Sequence, residues 1–144
     1  MTRGYISLAL RRQIVEDAGH RCGYCRSDET LTGIPLSIEH LVPDAQGGPT
    51  VRDNLWLSCR PCNEFKGNQT HAHDPETGEL VWLFNPRTQS WAEHFAWSSD
   101  DQTIVIGLTP VGRATVAALQ LNRLLLVRAR QRWMRLGWHP PTES

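Results

Sequence analysis

The stretch that decides the fold reads Cys22-Gly-Tyr-Cys25, then Ser37-Ile-Glu-His40, then Cys59-Arg-Pro-Cys62-Asn63. A two-residue gap lets both sulfurs of a tight turn reach one ion, and thiolates are ligands that Zn²⁺ prefers. One Cys-x-x-Cys pair alone could equally be a redox site. Two pairs in one short chain favour a closed tetrahedral zinc site formed by Cys22, Cys25, Cys59 and Cys62.

A closed site of four cysteines has no coordination position left for a substrate, so this zinc is expected to stabilise the fold. The chemistry should then come from residues between the pairs, where residues 36–41 are predicted to form a short strand. Neighbours on a strand point to opposite faces, so Glu39 and His40 should have different roles. Residues 53–57 are predicted as a second short strand or turn, and residues 61–68 as a helix.

Glu39-His40, Asn54 and Asn63, framed by the two cysteine pairs, resemble the HNH endonucleases, whose ββα-metal fold is named after a His-Asn-His triad. The resemblance covers residues 22–66 and includes the Gly47-Gly48 loop. It implies an α+β fold in which a ββα-metal HNH core is held by a zinc site of four cysteines. It also implies that the chain hydrolyses phosphodiester bonds and leaves 5′-phosphate and 3′-hydroxyl ends.

The resemblance implies a role for each of these residues. His40 lies at the position of the general base, while Glu39 and Asn63 lie at the positions that ligate a catalytic divalent cation. Asn54 is similar to the central asparagine that holds the loop and orients the base, and Lys66 resembles a basic residue that contacts phosphate. An imidazole with a pKa of about 6.5 suits proton abstraction at neutral pH. Carboxylate and amide oxygens suit Mg²⁺ or Mn²⁺.

Outside the resemblance, three of these residues have ordinary structural interpretations. Asn63 could cap a helix, Asn54 could be a turn residue, and Lys66 could be a solvated lysine.

The rest of the chain is predicted to extend this core. A helix is expected over Leu8–Ala18, between an N-cap at Ser7 and a stop at Gly19. Residues 78–108 are predicted to form a small antiparallel β meander, and residues 109–137 C-terminal helices with a break near Asn122. The meander's aromatic side chains are expected to form a core: Trp82, Phe84, Trp91, Phe95 and Trp97. A length of 144 residues favours a single domain, 1–144, with the HNH core at residues 20–70.

The formal net charge is zero, but its distribution is uneven. Residues 102–142 contain no acidic residue and six arginines. Because the planar guanidinium fork suits phosphate, Arg123 and Arg128 are predicted to bind substrate. The alternative is that these arginines solvate one face of a helix.

No apolar run approaches the length of a membrane span, and the N-terminus lacks the pattern of a signal peptide, so a cytoplasmic location is expected. The sequence thus predicts a metal-dependent endonuclease acting on DNA, with RNA as an open alternative. One rival is a non-catalytic, zinc-stabilised nucleic-acid-binding module, which would not need Glu39, His40 and Asn63 together. A second rival is a protein-interaction domain that uses exposed tryptophans and arginines.

Overall fold

The computed structural model describes residues 4–142, in which helices alternate with short antiparallel strand pairs. The elements in chain order are α1 (Leu8–Ala18), α2 (Glu29–Thr32), β1 (Ser37–His40), β2 (Leu55–Ser58), α3 (Arg60–Lys66), β3 (His71–His73), β4 (Leu80–Trp82), α4 (Trp91–His94), β5 (Phe95–Trp97), β6 (Val105–Gly107), α5 (Pro110–Ala118) and α6 (Leu124–Arg135). The predicted α+β class is confirmed.

The chain divides into two compact units. The first contains the described residues up to Thr70 together with Asn85–Thr88, and the second contains His71–Phe84 and the described residues from Gln89 onward. The expectation that residues 1–144 fold as a single domain stays a prediction.

Helix α1 has the bounds that its flanking residues predict. The Ser7 hydroxyl accepts a hydrogen bond from the Leu10 amide at 3.1 Å, which satisfies one of the free donors of the first turn. Gly19 ends the helix in the left-handed conformation, with φ of 61°. The helix buries Ile14 and packs on β2.

Strands β1 and β2 form an antiparallel pair in which Glu39 lies opposite Trp56 and His40 opposite Leu55. Helix α3 follows β2 and packs against β1. The predicted order of strand, loop, strand and helix is therefore present, with α3 beginning at Arg60 and ending at Lys66.

Residues Asn85–Thr88 complete the first unit. The Arg87 guanidinium lies 4.8 Å from the centre of the Trp56 ring. It also donates to the Asp17 carboxylate at 2.8 Å and to the Leu55 carbonyl at 3.0 Å. Arg87 thereby connects α1 with the start of β2.

The second unit contains two separate two-stranded sheets in place of the predicted meander. Strand β3, which the sequence did not predict, pairs with β4, and β5 pairs with β6. Residues Trp91–His94, expected as strand, form a helical turn. This turn brings Trp91 and Phe95, four residues apart, into a stack with ring centres 5.2 Å apart.

The predicted aromatic core is present in part. Phe84, Trp91 and Phe95 are buried and Trp97 is half-buried, but Trp82 is 63% exposed. Trp82 lies across from His71 on one face of the β3–β4 pair, and the two ring centres are 4.0 Å apart. Its partner is thus the neighbouring strand.

Helices α5 and α6 are separated by the predicted break. Asn122 lies in it and its side chain pairs with Val105, accepting from the amide and donating to the carbonyl, both at 2.8 Å. The chain leaves the helical conformation before Asn122, since Gln120 has a φ of 49°, and the pairing with Val105 lies between the two helices. Within residues 4–142, no helix combines the length and the apolar character that crossing a membrane requires.

Candidate active site and zinc site

The four cysteines form one cluster in the first unit. The sulfur atoms of Cys22, Cys25, Cys59 and Cys62 all lie within 4.8 Å of one another. In a tetrahedron with Zn–S bonds of about 2.3 Å the sulfurs are about 3.8 Å apart. Burial raises the pKa of the Cys22 thiol, so a bound cation would be needed to keep it ionised. The donor set and its spacing therefore fit zinc.

Local hydrogen bonds shape the first cysteine turn. The Cys22 amide donates to the Ser27 carbonyl at 2.9 Å, and the Arg26 amide donates to the Cys22 carbonyl at 3.1 Å. Gly23 lies in this turn, where a Cβ atom would approach the Trp56 ring to 2.6 Å. The close packing leaves no room for a larger residue at position 23.

The second cysteine turn is the start of α3. Cys59 is the N-cap and Pro61 lies in the first turn, where the missing amide proton costs nothing. Any shift of this turn would therefore move α3, which carries Asn63 and Lys66.

Glu39 points into the interior between the two cysteine turns. Its carboxylate accepts a hydrogen bond from the Tyr24 hydroxyl, and its Oε2 atom lies 3.9 Å from Lys66 Nζ. The Glu39 side chain is 1% exposed and that of Lys66 is 4% exposed. Burial raises the pKa of the Glu39 carboxyl, while the charge of Lys66 and the hydrogen bond from Tyr24 oppose this shift.

Lys66 lies elsewhere than the sequence led us to expect. Its Nζ atom faces the His40 carbonyl at 3.5 Å and the Leu41 carbonyl at 3.4 Å, besides Glu39. An ammonium group buried among these oxygens is not exposed to a phosphate at the surface. Lys66 is placed inward because α3 packs against β1.

Glu39 and Asn63 are the predicted ligands of a divalent cation, and both side chains offer oxygen atoms. Glu39 Oε2 is buried and accepts no hydrogen bond from any described residue. Asn63 is half-buried in the first turn of α3. Carboxylate and amide oxygens are hard ligands, so the donor chemistry fits Mg²⁺ or Mn²⁺. Among residues 4–142, however, the cysteines are the one group of three or more His, Cys, Asp or Glu side chains close enough to share an ion.

His40 lies next to Glu39 on β1 and therefore on the opposite face of the strand. Its Nε2 atom is 2.9 Å from the Thr50 hydroxyl, which fixes the orientation of the ring. His40 is 8% exposed, so the imidazole lies just beneath the surface. The two side chains therefore have different surroundings, and their different roles stay a prediction.

Asn54 holds the loop between the two strands. Its side chain accepts from the Val42 amide at 2.9 Å and donates to the carbonyls of Val42 at 3.1 Å and Pro49 at 2.9 Å. Gly48 packs so closely here that a Cβ atom would lie 1.8 Å from the Val42 carbonyl oxygen. The loop leads to Thr50, whose hydroxyl lies next to His40 Nε2.

Two residues of this arrangement were missed from the sequence, Tyr24 and Thr50. Tyr24 stands between the first two cysteines, and Thr50 follows the Gly47-Gly48-Pro49 turn. Their positions next to predicted site elements were the available signal, but their partners depend on the folded arrangement.

The two predicted substrate-binding arginines belong to the second unit and differ in surroundings. Arg123 donates to the carbonyls of Leu119 and Gln120, both at 3.3 Å, and so caps the end of α5. Arg128 is exposed on α6.

Comparisons with known proteins agree with this geometry. The family model of the HNH endonucleases matches residues 22–69, which contain the four cysteines, Glu39, His40, Asn54, Asn63 and Lys66. The CRISPR-associated endonuclease Cas9 of Corynebacterium diphtheriae is 38% identical over 96 residues, which are 63% of this chain and 9% of that protein. The chain thus spans a small part of this relative's length. No solved structure matches the chain. The resemblance to HNH endonucleases is confirmed for residues 22–69.

Proposed function

We propose that this chain is a metal-dependent HNH endonuclease that hydrolyses phosphodiester bonds in DNA. The observation that carries the proposal is the position of His40, whose ring is held by Thr50 at the end of the loop that Asn54 pairs, within the segment that matches the family. A module that only binds nucleic acid would need neither an oriented imidazole nor a buried carboxylate beside it.

The four cysteines would hold a structural zinc ion that joins the first cysteine turn to the start of α3. Tyr24 lies in the first cysteine turn and Lys66 at the end of α3, so the zinc site would also fix Glu39 through these two residues. Reduced thiols of this kind suit a cytoplasmic location.

His40 is the proposed general base. Its imidazole takes a proton from the water that attacks phosphorus, while Thr50 at Nε2 holds the ring. Asn54 maintains the loop that carries Thr50 and is a positioning residue. Attack forms a bond from the water oxygen to phosphorus and breaks the bond from phosphorus to the 3′ oxygen, which takes a proton from solvent water, so the ends are a 5′-phosphate and a 3′-hydroxyl.

Glu39 and Asn63 are the proposed ligands of the catalytic cation. A bound Mg²⁺ or Mn²⁺ ion would supply positive charge to the phosphate oxygens and to the departing oxygen. Lys66, which faces Glu39, is assigned to holding that carboxylate in place. Among the predicted substrate contacts, Arg128 is retained, while Arg123 is assigned to capping α5.

The test compares wild type with His40→Ala on plasmid DNA and on oligonucleotides, in the presence of Mg²⁺, Mn²⁺ or neither. Wild type should cleave with a divalent cation, and His40→Ala should lose cleavage while keeping its zinc content and unfolding midpoint. His20→Ala is the matched control, because His20 is exposed and lies in the same unit.

Cleavage by His40→Ala at the wild-type rate would disprove the assignment of the base. Binding of DNA without cleavage under any of these conditions would instead favour the non-catalytic zinc module. One observation favours this alternative: Lys66 lies close to Glu39, and an internal ion pair between them needs no metal.

A further inference from the structure

The six arginines of residues 102–142 fall into two groups in the structure. Arg113, Arg123 and Arg130 have partners inside the second unit. Arg113 pairs with the buried Asp74 carboxylate at 2.8 Å, and Arg123 caps α5. Arg130 is 1% exposed and donates to main-chain carbonyls at 2.8 and 3.0 Å. The guanidinium groups of these three arginines are engaged by partners within the unit, so we assign them to its stability and not to ligand binding.

Arg128, Arg132 and Arg135 form the second group, which we call the α6 arginine face. All three are exposed, and their spacing of four and three residues places them on one side of α6. Within residues 4–142, no carboxylate pairs with any of them. The absence of acidic residues from position 102 to position 142 leaves their charge uncompensated locally.

We propose that the α6 arginine face binds the phosphate backbone of double-stranded DNA. A helix rises about 1.5 Å per residue, so Arg128 and Arg135 are about 10 Å apart along the axis. Phosphates of one DNA strand follow each other about every 3.4 Å along the duplex axis, so the face matches about three of them. The proposal rests on the proposed function for the identity of the polyanion.

A membrane surface is the rival occupant of this face. Between Arg128 and Arg135 the exposed residue besides the arginines is Gln131, and Trp133 and Met134 are half-buried. Leu124 and Leu125 precede this stretch and are 65% and 79% exposed. A bilayer would need apolar side chains to insert among the charges, whereas the exposed side chains from Arg128 to Arg135 are polar and suit phosphates.

The contact is sequence-independent because arginine forks on phosphates carry no information on base identity. The face should therefore contribute affinity and salt dependence to DNA binding. Each phosphate contact contributes a slope of about −0.9 to the logarithm of the binding constant against the logarithm of salt concentration. Three contacts contribute about −2.7 in total.

The test measures binding of the full chain, loaded with zinc, to a short labelled duplex in buffer without Mg²⁺ or Mn²⁺. The variant Arg128→Gln/Arg132→Gln/Arg135→Gln should lower the magnitude of the salt slope by about 2.7. When the salt concentration rises from about 50 to about 200 mM, the affinity of wild type should therefore fall about 40-fold more than that of the glutamine variant. The triple arginine-to-lysine variant is the control, since it keeps the charge and should keep the slope.

A glutamine variant with the wild-type slope would overturn the inference, as would a wild type that does not bind the duplex. Binding to vesicles of anionic lipid but not to the duplex would assign the face to a membrane and also overturn it. The three side chains are exposed, so the unfolding midpoint of both variants should equal that of wild type.

The two proposals fail separately. An unchanged slope together with cleavage that depends on His40 would remove the α6 arginine face and leave the nuclease. A reduced slope without cleavage by wild type would keep the DNA-binding surface and remove the nuclease.

Discussion

Replacing Lys66 by Met separates the interior role of this lysine from a contact with phosphate. Its ammonium group is 3.9 Å from the Glu39 carboxylate, and both side chains are almost fully buried. Removal of one member of a buried ion pair leaves an uncompensated charge and costs about 3–5 kcal/mol. Domains of this kind are stable by about 5–15 kcal/mol, so Lys66→Met should lose a large fraction of the free energy of unfolding.

Urea unfolding of the zinc-loaded protein, without added Mg²⁺, measures this loss. The midpoint should fall in Lys66→Met while the slope of the transition remains the same, because the surface exposed on unfolding does not change. The double variant Glu39→Gln/Lys66→Met is the control. It should recover much of the loss, since it leaves no buried charge alone.

A different outcome would refute the interior role. Suppose Lys66→Met unfolds at the wild-type urea concentration, while its DNA affinity falls and its salt slope decreases by about 0.9. Lys66 would then contact one phosphate, as the sequence led us to expect, and it would not stabilise the protein through an internal pair with Glu39.

Three further predictions concern the loop, the zinc site and the acid end of the stability curve. Asn54→Ala removes three hydrogen bonds and leaves loop carbonyls and an amide without partners, so urea unfolding should show a loss of about 2–4 kcal/mol; Asn54→Asp keeps the acceptor but turns a carboxylate oxygen toward the carbonyls of Val42 and Pro49, so it should not recover this loss. Cys62→Ser should lower the zinc content of purified protein, and added zinc should restore the near-ultraviolet circular dichroism of chelator-treated wild type but not that of the variant. Hydrogen bonds from Arg52 and then Arg87 lower the pKa of Asp17 to about 2 from an ordinary value of 3.8. The stability that the Asp17 carboxylate contributes should be complete above pH 3.8 and disappear as the pH falls through about 2, so the unfolding midpoints of wild type and Asp17→Asn should converge over this range.

Elements with local signals were predictable from the sequence. Ser7 and Gly19 cap α1 through contacts within a few residues, so its bounds follow from the chain alone. The two cysteine turns and the strand that carries Glu39 and His40 follow from spacing. The break near Asn122 also lies where expected, although the pairing of Asn122 with Val105 was not visible in the sequence.

Features that depend on distant residues could not be predicted. A single lysine is usually solvated, and Lys66 is buried because β1 brings Glu39 next to α3. Strand β3 has three residues, too few to show an alternating pattern. Trp82 packs on the ring of His71 across the β3–β4 pair and stays 63% exposed, and this contact depends on the unpredicted strand β3.

Because Asn85–Thr88 belongs to the first unit, a fragment that contains the HNH match cannot simply end where that match ends. A fragment that stops at Thr70 contains every residue of the HNH match and still lacks Arg87. Asp17 would then lose one of its two guanidinium partners, and the Trp56 ring would lose its cover. A fragment of this chain that contains the whole first unit should therefore end no earlier than residue 88. It must then also contain β3 and β4, which lie between Thr70 and Asn85 in the sequence.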